Sequence, residues 1–137
     1  MAAGRRILLI GSDPDSTDAR STLFDLLGHS VLVASSGRQG VERANQDAPD
    51  VILIDFTLDD MDGCEVARRI RAGASGVVPV IIANSGYHHR GPEALAAGCD
   101  AFVLKPAFEE LIPLIEKTRE EVREYVETAG PAPTRPR

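Results

Sequence analysis

The sequence has no tryptophan, only two cysteines and no long hydrophobic run. Its longest aliphatic run, Ile7–Ile10, has four residues and is too short to cross a bilayer. Arg5 and Arg6 precede it without the longer apolar segment of a signal peptide, so we expect a cytoplasmic protein. Cys64 and Cys99 lack the spacing of metal ligands and are interpreted as free thiols in a reducing compartment.

A surplus of positive charge is also missing. The formal net charge is −6 over 137 residues, and no basic stretch interrupts that balance. This argues against direct binding of nucleic acid or of an anionic membrane surface. The length fits a single compact domain, which we place at residues 5–128. Residues 129–137 are rich in proline and are predicted to be a disordered tail or a truncated linker.

What the sequence does contain is a regular alternation of short aliphatic runs and helical patterns. The aliphatic runs are continuous, as expected of parallel strands that are buried on both faces. Five β/α units in strict alternation predict a parallel sheet with two helices on one face and three on the other. The predicted strands are Ile7–Ile10, Ser30–Ala34, Val51–Ile54, Val80–Ala83 and Phe102–Leu104.

The first helix is predicted to follow a loop at Ser12-Asp13-Pro14 and to end at Gly28. Its apolar residues fall on one side, which we expect to face the core. The residues on that side are Ala19, Leu23, Leu26 and Leu27.

The last helix is predicted to be continuous from near Phe108 to about Thr128, with a mild kink at Pro113. A seam of positions three and four apart runs along it, as in a coiled coil. The domain's own core needs the first half of the seam, whereas the second half has no core left to cover. We therefore hypothesise that the second half mediates homodimerisation or leads to an output domain. The seam consists of Phe108, Leu111, Ile115, Thr118, Val122 and Tyr125.

Two charged residues stand where ligands bind in sheets of this kind, at the C-terminal ends of the strands. Asp55 follows the third strand and Lys105 follows the fifth. Lysine is rare in this sequence, so a lysine at a strand end indicates a need for a compact charge. A carboxylate nucleophile beside an ammonium group is consistent with phosphoryl transfer, although a structural ion pair explains any single Asp–Lys pair as simply.

Four longer segments carry a family resemblance: ILLIGSDPD (Ile7–Asp15), PDVILIDFTLDDMDGCEVARRIR (Pro49–Arg71), VPVII (Val78–Ile82) and ALAAGCDAFVLKP (Ala94–Pro106). They resemble the receiver domains of bacterial two-component response regulators. The resemblance implies a flavodoxin-like, doubly wound sheet of five parallel strands in the order 2-1-3-4-5, within three α/β/α layers. It also implies a signalling module rather than an enzyme.

The resemblance implies roles for the residues that match. Asp55 would accept a phosphoryl group, and Lys105 would pair with that group. Thr57 stands where the family offers a backbone carbonyl to Mg²⁺. Phe102 stands at the aromatic position that turns inward on activation. Partner proteins would bind through the fourth helix, fifth strand and fifth helix, and a sensor histidine kinase is a candidate partner.

The sequence departs from the family pattern at two places. Receivers end their first strand in two adjacent acidic residues that hold Mg²⁺, but those positions here are Gly11 and Ser12, and Asp13 comes one place too late. The hydroxyl-bearing switch residue, counted from the proline of the fourth strand, corresponds to Asn84, with Ser85 next. We expect the planar amide of Asn84 to obstruct inward rotation of the aromatic switch residue.

Loss of the acidic pair changes the charge of the predicted site. In the family pattern, three carboxylates and one lysine leave two negative charges, which balance Mg²⁺. Asp55 and Lys105 alone sum to zero. Because unit charges about 4 Å apart interact by roughly 4 kcal/mol at an effective dielectric constant of about 20, we expect Mg²⁺ binding and phosphorylation of Asp55 to be weak or absent.

Three alternatives stay open from the sequence. A conventional phosphorylatable receiver could use Asp13 as a substitute metal ligand. A flavodoxin-like mononucleotide-binding enzyme could use the hydroxyls that follow the first strand, although Asp13 and Asp15 would repel a phosphate. A scaffold domain could hold Asp55 and Lys105 as a purely structural ion pair.

Overall fold

A computed structural model describes residues 4–56, 58–73, 78–86, 90–105 and 109–129. Over these residues, strands and helices alternate as predicted, except at the C-terminal end. The strands are β1 (Arg6–Ile10), β2 (Ser30–Ala34), β3 (Val51–Asp55), β4 (Val80–Ser85) and β5 (Ala101–Leu104). The helices are α1 (Pro14–Leu26), α2 (Gly37–Asp47), α3 (Gly63–Gly73), α4 (Gly91–Ala96), α5 (Leu111–Ile115) and α6 (Arg119–Ala129).

The five strands form one parallel sheet in the order β2-β1-β3-β4-β5, which confirms the predicted topology. Leu8 in β1 pairs with Leu32 on one side and with Ile52 on the other. The strand order therefore reverses between β1 and β3, and a crevice opens at the C-terminal ends of these two strands. Every residue of β3 is buried, as its continuous aliphatic run predicts.

Alternate side chains of the strands pack into two separate apolar layers, because successive residues of a strand point to opposite faces. Ile52 and Ile81 pack with α2, α3 and α4 on one face. Leu53 and Ile82 pack with α1, α5 and α6 on the other. In the described part of the chain each face thus carries three helices, not the predicted two and three, because the last helix is divided.

Helix α1 turns a different side to the sheet from the predicted one. Thr17 and Phe24 are buried, whereas Ala19 is exposed and Leu26 is 79% exposed. Only Leu23, of the predicted side, packs against the core. Phe24 takes the core position, and each residue turns a helix by about 100°. Leu26, two residues further on, consequently faces solvent.

The C-terminal helix is divided in two, which corrects the predicted continuous helix. α5 ends at Ile115 and α6 begins at Arg119. Between them, Thr118 and Glu121 form a capping box. The Glu121 N–H donates to Thr118 Oγ1 at 3.2 Å, and the Thr118 N–H donates to Glu121 Oε1 at 2.9 Å. This pair of hydrogen bonds starts a new helix where the apolar spacing indicates an uninterrupted one.

One residue in the second half of the predicted seam, Val122, covers the domain's own core, whereas Thr118 and Tyr125 are exposed. Val122 is fully buried, and Val126 packs at the margin of the same layer. The buried carboxylate of Asp100 also holds α6, because Arg119 Nε donates to it at 3.0 Å. The premise that this half has no core to cover is therefore wrong, and homodimerisation stays an untested prediction. Phe108, the first residue of the seam, lies outside the described residues.

Within the described ranges, no helix is both long and apolar enough to cross a membrane. α6 extends to Ala129, one residue past the predicted domain boundary. The rest of the predicted tail, residues 130–137, lies outside the described part of the chain.

Candidate functional site

The structure brings Asp55 and Lys105 together at the C-terminal edge of the sheet. Asp55 closes β3 and is 2% exposed, and Lys105 directly follows β5. Lys105 Nζ donates to Asp55 Oδ1 at 2.8 Å. The Lys105 N–H also donates to the Ser85 carbonyl at 2.8 Å, which fixes the start of this side chain. A charge-assisted hydrogen bond in so buried a place is stronger than it would be in water.

A side chain at position 11 would begin beside the second oxygen of Asp55. A Cβ atom at position 11 would lie 3.4 Å from Asp55 Cβ and 3.7 Å from Asp55 Oδ2. It would also lie 3.0 Å from Thr17 Cγ2, so α1 would have to give by a few tenths of an ångström. Position 11 is therefore part of the site, but glycine supplies no side-chain ligand there.

Ser12 and Asp13 make contacts in the neighbouring loop and helix. Ser12 Oγ accepts a hydrogen bond from the Asp59 N–H at 3.2 Å. Asp13 is exposed and caps α1, where its carboxylate accepts from the Asp15 N–H at 3.3 Å. Asp13, the alternative metal ligand, thus already uses its carboxylate to cap the start of α1. Thr57, the predicted source of a metal-binding carbonyl, lies outside the described residues.

Arg20 of α1 is a second cation at the site, and it was not among the residues predicted from the sequence. Its guanidinium donates to Oδ1 of Asn84, which pairs with Asp55 across β4 and β3. Burial lowers the pKa of Arg20, and the negative charge of Asp55 opposes that effect; the group stays protonated in either case. Arg20 lies three residues after Thr17 and four before Phe24, on the buried side of α1. That spacing is the sequence signal that could have placed Arg20 on the buried side of α1.

Asn84 and Ser85 point to opposite faces of the sheet. The Asn84 amide donates to the Val103 carbonyl at 2.7 Å and accepts from Arg20, on the α1 side. Ser85, the next residue of β4, is buried toward the other face, where Phe102 packs. The expectation that Asn84 obstructs inward rotation of Phe102 stays a prediction, although the two side chains point to opposite faces of the sheet here. A switch role for Ser85 and Phe102 stays a prediction.

The acids of the loop after β3 have partners of their own. Asp60 accepts from the N–H of Arg38 at 2.9 Å and from that of Gly37 at 2.8 Å, at the start of α2. These hydrogen bonds, that of Arg38 first, lower the pKa of Asp60 below its usual value. Asp62 pairs with Arg90 at 2.7 Å. Over the residues that the structure describes, no group of three or more His, Cys, Asp or Glu side chains is placed to hold a metal.

The fold and the strand-end ion pair together define a receiver-type signalling domain, and a family comparison agrees. The model of the response regulator receiver domain matches residues 7–116. The chain therefore belongs to the response regulator receiver family, whose members act in two-component signal transduction.

Curated relatives match the chain over part of their own length. Protein PilH of Pseudomonas aeruginosa is 33% identical over 78 residues, which cover 56% of this chain and 64% of PilH. The gliding motility regulatory protein of Myxococcus xanthus is 33% identical over 105 residues, which cover 73% of this chain and 13% of that protein. The transcriptional regulatory protein KdpE of Mycobacterium tuberculosis is 31% identical over 100 residues, 73% of this chain and 44% of KdpE. The chain thus spans less than two thirds of each relative.

Solved receiver structures superimpose on most of the chain. The receiver domain of the sensor histidine kinase PA1611 from Pseudomonas aeruginosa is 30% identical, with a TM-score of 0.77 over 86% of this chain and 99% of that one. Magnesium is coordinated in the active site cleft of that protein. The receiver domain of yeast Ssk1, solved with the phosphotransfer protein Ypd1, has a TM-score of 0.74 over 82% of this chain and 86% of that one. At 18% identity it shows the fold alone.

Proposed function

We propose that this domain is an atypical receiver, which signals through protein contacts with little or no Mg²⁺-dependent phosphorylation of Asp55. It acts as a signalling domain, not as an enzyme. The observation that carries the proposal is the end of β1, where Gly11 and Ser12 occupy the positions of the acidic pair. A Cβ atom at position 11 would lie 3.7 Å from Asp55 Oδ2, but glycine supplies no carboxylate there, unlike the acidic residue of the family pattern.

The donor set at the strand ends does not fit Mg²⁺. The ion prefers near-octahedral oxygen coordination and usually binds through carboxylates and water. Asp55 supplies a carboxylate, but its Oδ1 accepts from Lys105 at 2.8 Å. Asp13 accepts from a backbone N–H at the start of α1. A conventional receiver would have to pull Asp13 from its cap, at a cost of about 1 kcal/mol in helix stability.

The charge balance of the site also disfavours a divalent cation. The negative charge of Asp55 is set against the positive charges of Lys105 and Arg20, which leaves one net positive charge where the sequence alone indicates zero. Each unit positive charge about 4 Å from Mg²⁺ costs roughly 8 kcal/mol at an effective dielectric constant of about 20, as an upper figure. Without a metal, Lys105 and Arg20 are the side-chain cations that the described residues place near Asp55 to offset the charge of an incoming phosphoryl group.

The output of the domain, in this proposal, is a protein contact through α4, β5 and α5. Receiver domains interact with histidine kinases or phosphotransfer proteins. A sensor histidine kinase is accordingly the candidate upstream partner. On the proposed surface, α4 exposes Leu95, which is 46% accessible, and Phe102 of β5 is half-buried beside Gly91. A partner could therefore read the position of Phe102 without any chemistry at Asp55.

The proposal is tested by incubating the full chain with acetyl phosphate in millimolar Mg²⁺ and measuring its intact mass under conditions that preserve acyl phosphates. We expect the unsubstituted chain to remain unmodified. The double variant Gly11→Asp/Ser12→Asp should gain one phosphoryl group, and adding Asp55→Asn should abolish that gain. Ready phosphorylation of the unsubstituted chain at Asp55 would contradict the proposal and favour a conventional receiver with Asp13 as the replacement ligand.

A further inference from the structure

Helix α1 brings the positive charge of Arg20 to the end of β4, where it donates to Asn84 and interacts with the charge of Asp55. We propose that Arg20 is a built-in cation of the Asp55 site, which keeps divalent metals out and ties α1 to the end of β4. This inference rests on the proposed function, because it names the residue that makes the site metal-independent. It goes further in assigning that property to a side chain outside the family's acidic pair.

The contacts of Asn84 place the guanidinium group beside Asp55. Asn84 is the direct partner of Asp55 in the β3–β4 register. Its amide group donates to the Val103 carbonyl at 2.7 Å, which leaves its Oδ1 to accept from Arg20. The hydrogen bond therefore fixes Arg20 on the α1 side of the sheet, the same side to which the Asp55 side chain points.

The two oxygens of Asp55 have different surroundings. This difference determines from which side a metal would approach, and Arg20 lies on that side of the sheet. Oδ1 is occupied by Lys105 at 2.8 Å, so a metal would have to approach from the side of Oδ2. On that side Gly11 offers no ligand atom, and α1 is in contact through Thr17. Arg20 lies one turn further along the same buried face of α1. A cation entering beside Oδ2 thus meets the field of a second cation that cannot be deprotonated.

A purely structural role is the competing explanation, in which Arg20 only satisfies the buried Asn84 amide. Charge and shape can be separated by substitution. Arg20→Gln keeps a hydrogen-bond donor but removes the charge. Arg20→Lys keeps the charge and loses the planar fork. If Arg20 excludes metal, metal affinity should depend on whether the side chain is charged. If its role is structural, metal affinity should depend on how well the side chain fits.

The test measures Mn²⁺ affinity by titration calorimetry in the acid-restored background, Gly11→Asp/Ser12→Asp. We expect adding Arg20→Gln to lower the dissociation constant by roughly tenfold or more, and adding Arg20→Lys to leave it within about twofold. Arg68→Gln is the matched control, since it removes one arginine charge from an exposed position on α3, on the opposite face of the sheet. Thermal unfolding without metal checks that every variant is folded.

The proposal would be overturned if adding Arg20→Gln to the acid-restored chain left the dissociation constant for Mn²⁺ unchanged. Equal tightening by Arg20→Lys and Arg20→Gln would also overturn it, since the effect would then follow shape. Failure of both the acid-restored chain and its Arg20→Gln derivative to bind millimolar Mn²⁺ would overturn it as well. These outcomes are distinct from failure of the proposed function, which is read from phosphorylation of the unsubstituted chain.

Discussion

Lys105 Nζ and Asp55 Oδ1 lie 2.8 Å apart across the end of β4, although 50 residues separate them in the chain. The side chain of Asp55 is 3% exposed and that of Lys105 is 25% exposed, so the carboxylate depends on its partners for solvation. The pair connects β3 to β5 at the edge where receiver chemistry takes place. In this chain it also sets the electrostatics that a metal or phosphoryl group would meet.

Removing Lys105 should destabilise the fold, because it leaves a buried carboxylate with fewer partners. We expect Lys105→Met to lower the free energy of unfolding in urea by about 1–3 kcal/mol. The loss should be smaller in the Asp55→Asn background, since no carboxylate then remains to be compensated. Equal losses in both backgrounds would show that the two charges do not interact.

The sheet was predictable because its strands are continuous aliphatic runs, a pattern that only a sheet covered on both faces requires. The side of α1 that faces the core was not predictable in the same way. Leu26 and Leu27 are apolar but exposed, while the buried side carries Thr17 and the half-buried Arg20. A polar side chain at an inner position is explained only by its partners, Asn84 and Asp55, which come from distant parts of the chain.

The division of the last helix is indicated locally by the sequence, but the regular apolar spacing across it suggests a continuous helix. The capping box of Thr118 and Glu121 competes with helix continuation, and it prevails here. Replacing Thr118 by Ala should cost about 1 kcal/mol of stability. Urea unfolding measures the loss, and Thr22→Ala at an exposed position of α1 is the control. No greater loss for Thr118→Ala than for the control would contradict the assigned cap.

Asp60 should contribute to stability in a pH-dependent way. Its pKa in the folded chain lies below the unfolded value, because backbone N–H groups at the start of α2 donate to its carboxylate. The contribution is therefore present above about pH 4 and is lost as the pH falls through the folded pKa. We expect Asp60→Asn to be less stable than the unsubstituted chain at pH 7, with the difference shrinking in acid. The neighbouring variant Asp59→Asn is the control, and a difference constant with pH would contradict the prediction.

Asp100 should be the main anchor of α6 to the rest of the domain. Its fully buried carboxylate accepts from Arg71 at 2.8 Å, from Arg119 at 3.0 Å and from the Ile81 N–H at 3.0 Å. Arg123 also pairs with this carboxylate at 3.5 Å, so Asp100→Asn removes the counter-charge of three arginines and should cost about 3 kcal/mol. Hydrogen exchange should show the largest loss of protection in α6. Unchanged protection there, with Asp25→Asn as the exposed control, would contradict this role.

In the proposed function, the fixed charges around Asp55 leave no place for a divalent metal. This can be measured by titrating the unsubstituted chain with Mg²⁺ and following the backbone amides around Gly11 and Asp55 by two-dimensional NMR. We expect no saturable shift up to tens of millimolar Mg²⁺ in the unsubstituted chain, and saturation at millimolar Mg²⁺ once Gly11 and Ser12 are both replaced by Asp. Saturable binding to the unsubstituted chain at or below millimolar Mg²⁺, with shifts centred on Asp55, would contradict it.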